Sequence, residues 1–198
     1  MKERPILFSA PMVRALLDGN KTQTRRVVKV ESTMGRDSIL APHKGRKYAA
    51  TYLLPDHASD ATACSPYGQP GDRLWVREKW AAPHSQDGMK PGHMYIDESF
   101  IHYAASEPLG GLLWRPSIHM PRWASRILLE ITSVRAERLQ AINEVDAIAE
   151  GAPWAACGSP QEGSHKAGYA QLWEAINGPD SWQANPWVWV IEFKKVNP

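Results

Sequence analysis

A chain of 198 residues with 43% hydrophobic and 22% charged residues suits one globular domain with a core of its own. A formal net charge of +2 is too small to attract nucleic acid by bulk charge, so any anion binding has to come from local clustering. No apolar run reaches the length of a membrane-spanning helix, and no signal-peptide core follows Met1-Lys2-Glu3-Arg4, so the expectation is a cytoplasmic protein with no membrane partner.

Pro5-Ile6-Leu7-Phe8 predicts a first strand, and residues 11–18 a short helix entered at Pro11. The helical pattern of Met12, Ala15, Leu16 and Leu17 breaks at Asp18-Gly19, because glycine takes the left-handed conformation that closes a helix. Gly19-Asn20-Lys21-Thr22-Gln23-Thr24-Arg25-Arg26 follows and forms a compact polar constellation. It sets a lysine, two threonine hydroxyls and two guanidiniums within one turn or strand start. Thr22 to Val30 carries β-branched residues and predicts a strand. On an ideal strand Lys21 and Thr24 would point to opposite faces. For the two to cooperate, the backbone here must be a turn or irregular.

From Glu31 to Pro66 periodicity is lost, with Tyr48–Leu54 as the one strand-like stretch. Tyr67 to Asp72 is a turn cluster, and Arg73-Leu74-Trp75-Val76-Arg77 reads as a central strand that runs on into Glu78. A second excursion covers Ala81 to Pro121, with strand-like pieces at His93–Ile96 and Ile101–Tyr103. The run Arg126 to Leu139 alternates as a strand does. Residues 140–149 carry a helical pattern that starts near Gln140 or Asn143 and stops at Glu150-Gly151. Gly158–Gly163 reads as a loop, Tyr169–Ile176 as an amphipathic helix, and Trp187–Phe193 as a closing strand. Cys64 and Cys157 are far apart and read as free thiols. The seven histidines show no metal-ligand spacing, so neither metal nor cofactor is expected. Strands of unequal length with two or three helices between them predict an α+β protein built on a small mixed barrel with flanking helices. No βαβ alternation and no glycine-rich phosphate loop are present, which excludes a nucleotide-dependent dehydrogenase or kinase.

Four pieces, in this order, resemble the ASCH family, whose members adopt a PUA-like β-barrel. They are the helix ending in Gly19 with Lys21 to Arg26; Pro70 to Glu78; the strand Ile127–Val134 with its following helix; and Val188 to Phe193. The resemblance implies a single domain over residues 1–198 with insertions at about 31–66 and 81–120. The chain's size and its Leu-Trp-Val-Arg-Glu segment are similar to phage- and prophage-encoded members. Small bacterial members are metal-independent N4-acetylcytidine amidohydrolases, and the resemblance implies a catalytic lysine, threonine and glutamate. These carry over onto Lys21, Thr24 and Glu150, with Glu144 the competing glutamate.

Amide hydrolysis needs a nucleophile, a proton shuttle and a partner for the tetrahedral oxyanion. Lys21 could take the proton of Thr24 as a neutral amine, its pKa lowered by burial or by Arg25 and Arg26. Equally, a charged Lys21 could hold the oxyanion while Glu150 activates water. Arg25 and Arg26 are candidate substrate-binding groups. Glu78 could accept from the exocyclic amine of the base, and Trp75 could stack on a pyrimidine. Each residue also has an ordinary structural use: Thr24 as a strand threonine, Glu150 as a helix-end carboxylate, Glu78 as partner of Arg77 or Lys79, Trp75 as core. The expected substrate is a small modified cytosine nucleoside. The alternative is an RNA-binding module, or a ribonuclease, with Lys21, Arg25, Arg26 and Lys29 facing phosphates.

Overall fold

The computed structural model describes residues 1–29, 31–33, 36–43, 46–53, 65–82, 101–107, 111–157 and 159–196. Strand β1 (Glu3–Leu7) leads into helix α1 (Ala10–Leu17), with Pro11 in the first turn, where its missing N–H leaves no bond unmade. After Gly19, which sits at φ +78°, comes β2 (Gln23–Val27). Next are β3 (Glu31–Thr33), β4 (Arg36–His43) and β5 (Arg46–Leu53), then β6 (Arg73–Arg77), β7 (Trp80–Ala81) and β8 (His102–Tyr103). The remaining elements are β9 (Leu128–Arg138), α2 (Glu144–Ala149), β10 (Ala155–Cys157), β11 (Ser159–Ser164), α3 (His165–Asn177) and β12 (Trp187–Val196).

Five strands form the main sheet in the order β1-β6-β9-β12-β2. β1 runs parallel to β6, and every other neighbouring pair is antiparallel. The expected closed barrel is therefore corrected: the sheet is open and mixed, with helices flanking it. A barrel requires its first and last strands to share a hydrogen-bond ladder. Here those strands are β1 and β2, and no ladder joins them. Pro5 lies inside β1 and cannot donate to a ladder, which suits an edge strand. The guanidinium of Arg26 donates to the Leu7 carbonyl at 2.7 Å, a single side-chain link where a barrel would have a strand pair. Alternating hydropathy tells which residues face a core, and it says nothing about whether two edges meet.

β12 shows why the sheet needs cover on both faces. Its odd residues Trp187, Trp189, Ile191 and Phe193 join a core with Ile6, Phe8, Val13 and Leu16 from β1 and α1. Its even residues Val188 and Val190 join Ala147, Tyr169 and Trp173 from α2 and α3. A strand buried on both sides loses polar alternation and reads as one apolar run. A third cluster around Trp80, Ile101, Met120 and Ala124 lies beside the pair β7–β8.

Two expected irregular stretches turn out to be regular. Residues 31–33, 36–43 and 46–53 form a three-stranded antiparallel sheet, β3-β4-β5, and the strand expected at Tyr48–Leu54 falls largely within β5. Pro42 sits at a register shift between Ala41 and His43, so it marks an irregularity within a sheet. The expected loop at 158–163 is largely β11, paired antiparallel with β10. The expectations for His93–Ile96 and Cys64 lie outside the described residues. Among the described residues no helix is long and apolar enough to cross a membrane.

α3 is fixed at its start by Ser164, whose hydroxyl accepts the Ala167 N–H at 3.0 Å. It then packs so closely on the chain before β10 that a Cβ on Gly168 would stand 1.8 Å from the Pro153 carbonyl oxygen. Gly168→Ala is therefore expected to cost about 1–3 kcal/mol of stability, read from urea unfolding, because α3 must lift from its seat. An unchanged midpoint would mean that α3 does not depend on this contact.

Candidate active site

The polar cluster after Gly19 is held by three elements. The N–H groups of Asn20 and Lys21 both donate to the Ala15 carbonyl, at 2.8 and 3.0 Å, folding the chain back on the end of α1. The Thr22 N–H then donates to Ala149 at 2.8 Å, and the Phe193 N–H to Thr22 at 2.9 Å. Lys21 makes an isolated antiparallel bridge with Glu150, and the ladder of β2 starts only at Gln23. The required irregular backbone is thus present. It lets Lys21 and Thr24 line one small cavity of about 70 Å³, together with Arg25, Arg26, Glu150 and Tyr169.

Lys21 is 3% exposed, Thr24 1% and Glu150 5%. The Lys21 ammonium donates to a carboxylate oxygen of Glu150 and to the Glu150 backbone carbonyl, each at 2.8 Å. Burial depresses the Lys21 pKa, Glu150 opposes the shift, and Arg26 and Arg25 add to it. The net direction is downward, towards a neutral amine. Gly151, at φ +74°, makes the approach possible, because a Cβ there would stand 2.9 Å from that of Ala15.

Arg25 organises the carboxylates behind this pair. It donates through Nη1 to Glu150 at 3.2 Å, and through Nη2 to Glu137 at 2.6 Å and Asp146 at 3.0 Å. Arg135 extends the network to Glu137, Asp146 and Glu192. The guanidinium of Arg25 also lies 6.0 Å from the ring centre of Tyr169. Burial pushes the Tyr169 phenol well above its ordinary range, so it stays neutral and able to donate. Arg26 is less buried, with its guanidinium 5.5 Å from the Phe8 ring centre.

Of the two candidate glutamates, Glu150 is the one at the cavity. Glu144 is exposed and accepts the N–H groups of His165 and Lys166, at 2.6 and 3.1 Å, which caps α3. Trp75 and Glu78 are not brought to this cavity. Trp75 is buried, with the Arg77 guanidinium 4.6 Å from its ring centre. Glu78 is buried against Arg126, which donates through Nε and Nη2 at 3.0 and 3.1 Å. Burial raises the Glu78 pKa and Arg126 opposes it.

Tyr169 and Trp173 line the cavity, Glu137 and Asp146 stand behind it as partners of Arg25, and none of the four was singled out by sequence. A usable signal was there for two pairs. Asp146 with Glu150, and Tyr169 with Trp173, are each four residues apart and share a helix face. A wider cavity of about 570 Å³ adjoins the first, sharing Met12, Arg26 and Ile176 with it. Among the described residues no group of three or more His, Cys, Asp or Glu is placed to hold a metal ion. No family model, no curated protein and no solved structure matches the chain.

Proposed function

We propose that the chain is an amidohydrolase that cleaves the N4-acyl amide of acylated cytosine nucleosides, giving cytidine and a carboxylic acid. The observation that supports this best is the buried Lys21–Glu150 pair at 2.8 Å, at a cavity it shares with Thr24. The resemblance to ASCH amidohydrolases supplies the reaction class.

In this reading neutral Lys21 takes the Thr24 hydroxyl proton, and Thr24 Oγ1 attacks the acyl carbon. The neutral phenol of Tyr169, which lines the cavity, is the donor for the charge that develops on the carbonyl oxygen. The C–N bond breaks, the proton held by Lys21 passes to the departing cytosine nitrogen, and the acyl group stays on Thr24 as an ester. Water, deprotonated by the same amine, cleaves that ester and restores the hydroxyl. Glu150 fixes the Lys21 amine through the sequence.

The test is protein incubated with N4-acetylcytidine, with cytidine release followed by chromatography. Thr24→Ala, with its fold verified by circular dichroism, is expected to lower kcat by about 10³-fold. Full activity in that variant would remove Thr24 from the nucleophile role, and no release from the wild type would end the reading. The rate should also climb with pH as Lys21 loses its proton. The midpoint should lie below 10.5, the ordinary lysine value, because burial depresses this amine. A rate that falls with rising pH would rule out the amine as base.

A further inference from the structure

We propose that the wide cavity beside the Lys21 site is the compartment for the leaving nucleotide, and that Arg77 with Arg26 binds a phosphate on it. The preferred substrate is then an N4-acylcytosine nucleoside 5′-monophosphate rather than the neutral nucleoside. This names the substrate class for the amidohydrolase reading and rests on it.

The two cavities differ in size and lining in a way that divides such a substrate. A bound water needs about 10–15 Å³ of cavity, so the 70 Å³ around Lys21 and Thr24 has room for a few heavy atoms, as in an acetyl amide. The 570 Å³ compartment falls in the range of nucleotide- and drug-sized sites. The two share Met12, Arg26 and Ile176 in their linings and so lie side by side, as the two parts of one substrate require. Phe8 and Tyr67 give the wide compartment aromatic walls suited to a pyrimidine. Burial raises the Tyr67 phenol pKa, with Arg26 opposing, so the phenol stays a neutral donor.

The charge in the compartment points to an anion. Among the described residues its lining holds two guanidiniums, Arg26 and Arg77, and no carboxylate. Arg77 lies over the Trp75 ring, and its Nε is shielded from solvent with no hydrogen-bond partner. A guanidinium held over an aromatic face keeps its N–H fork in plane for the bidentate geometry that phosphate offers. Arg26 spends one donor on the Leu7 carbonyl and has others left.

Calorimetric titration of the wild type with CMP, cytidine and orthophosphate tests this without turnover. CMP is expected to bind at least about tenfold more tightly than cytidine, and more tightly at low salt. Arg77→Gln should remove most of the CMP advantage, Arg26 retaining the rest, and leave cytidine unchanged. The wild-type comparison needs no variant, so equal binding of CMP and cytidine overturns the proposal by itself. An RNA hexamer that binds more tightly than CMP would also overturn it, in favour of a polymer partner. The two readings fail separately. If N4-acetylcytidine and N4-acetyl-CMP are hydrolysed equally and CMP has no advantage, the phosphate site falls and the hydrolase stands. If neither is hydrolysed but CMP selectivity is present and largely lost in Arg77→Gln, the hydrolase falls and the anion site stands.

Discussion

Lys21→Ala is expected to lower kcat for N4-acetylcytidine by about 10³–10⁴-fold, the range for losing both a proton acceptor and the charge it carries afterwards. The substitution leaves Glu150 with a partner, because Arg25 Nη1 also reaches its carboxylate. The fold should therefore survive, at a cost of a few kcal/mol for breaking a buried pair (~3–5). Lys21→Arg separates the two roles that the sequence leaves open. Arginine keeps the charge beside Glu150 and cannot give up its proton near neutral pH. A Lys21→Arg enzyme as dead as Lys21→Ala supports the amine as base. One that keeps most of its rate would sink that role and leave the charged group as the oxyanion partner, with Glu150 acting on water.

Arg25→Met should cost about 3–5 kcal/mol of stability, measured by urea or thermal unfolding. Arg25 is buried and donates to three carboxylates, on Glu137, Asp146 and Glu150. Removing it leaves Lys21 and Arg135 to neutralise all three, together with the Glu192 carboxylate that Arg135 also holds. The pH profile gives a readout that lost packing would not move. Arg25 is one of the cations that lower the Lys21 pKa, so its removal should shift the rise in rate to higher pH. A shift to lower pH, or an unfolding midpoint within error of the wild type, would contradict this account. A positioning residue is the fitting description of Arg25, since it acts through Glu150.

What the sequence made legible was local. Gly19 and Gly151 end helical stretches where the pattern breaks, and both stand at positive φ. Arg73–Arg77 and Trp187–Phe193 are strands as their residues suggest. Lys21, Thr24, Arg25 and Arg26 lie close together in the chain, and their meeting at one cavity follows from a single bend. Glu150 joins them across 129 residues, and the four-piece resemblance, not spacing, pointed to it. The partners of Arg25 on β9 and α2 could not be found this way, because nothing in a linear pattern says which strand lies beside which. The parallel pairing of β1 with β6 and the open edge between β1 and β2 belong to the same class of fact. Residues 159–164, Ser-Pro-Gln-Glu-Gly-Ser, carry no apolar alternation, so a strand there is visible only through its partner β10. Trp75 and Glu78 lie away from the small cavity for a related reason. Trp75 lies in β6 and Glu78 just past its end; β6 is three places from β2 in the sheet, and Arg77 and Arg126 engage the two side chains there.

The position of β12 between β9 and β2 also governs how the molecule is made. β2 comes from residues 23–27 and its lateral partner from residues 187–196. While the chain emerges from the ribosome, β2 has nothing to pair with until nearly all of the described residues have been synthesised. The site therefore appears late and all at once, and the contact that creates it is slow to form because it closes a very long loop. A lone strand waiting that long is exposed to mispairing with other nascent chains. The sequence of β2, Gln-Thr-Arg-Arg-Val, answers that hazard, since two adjacent positive charges make a poor template for aggregation. The arginines that serve the finished site are thus already useful to the unfinished chain.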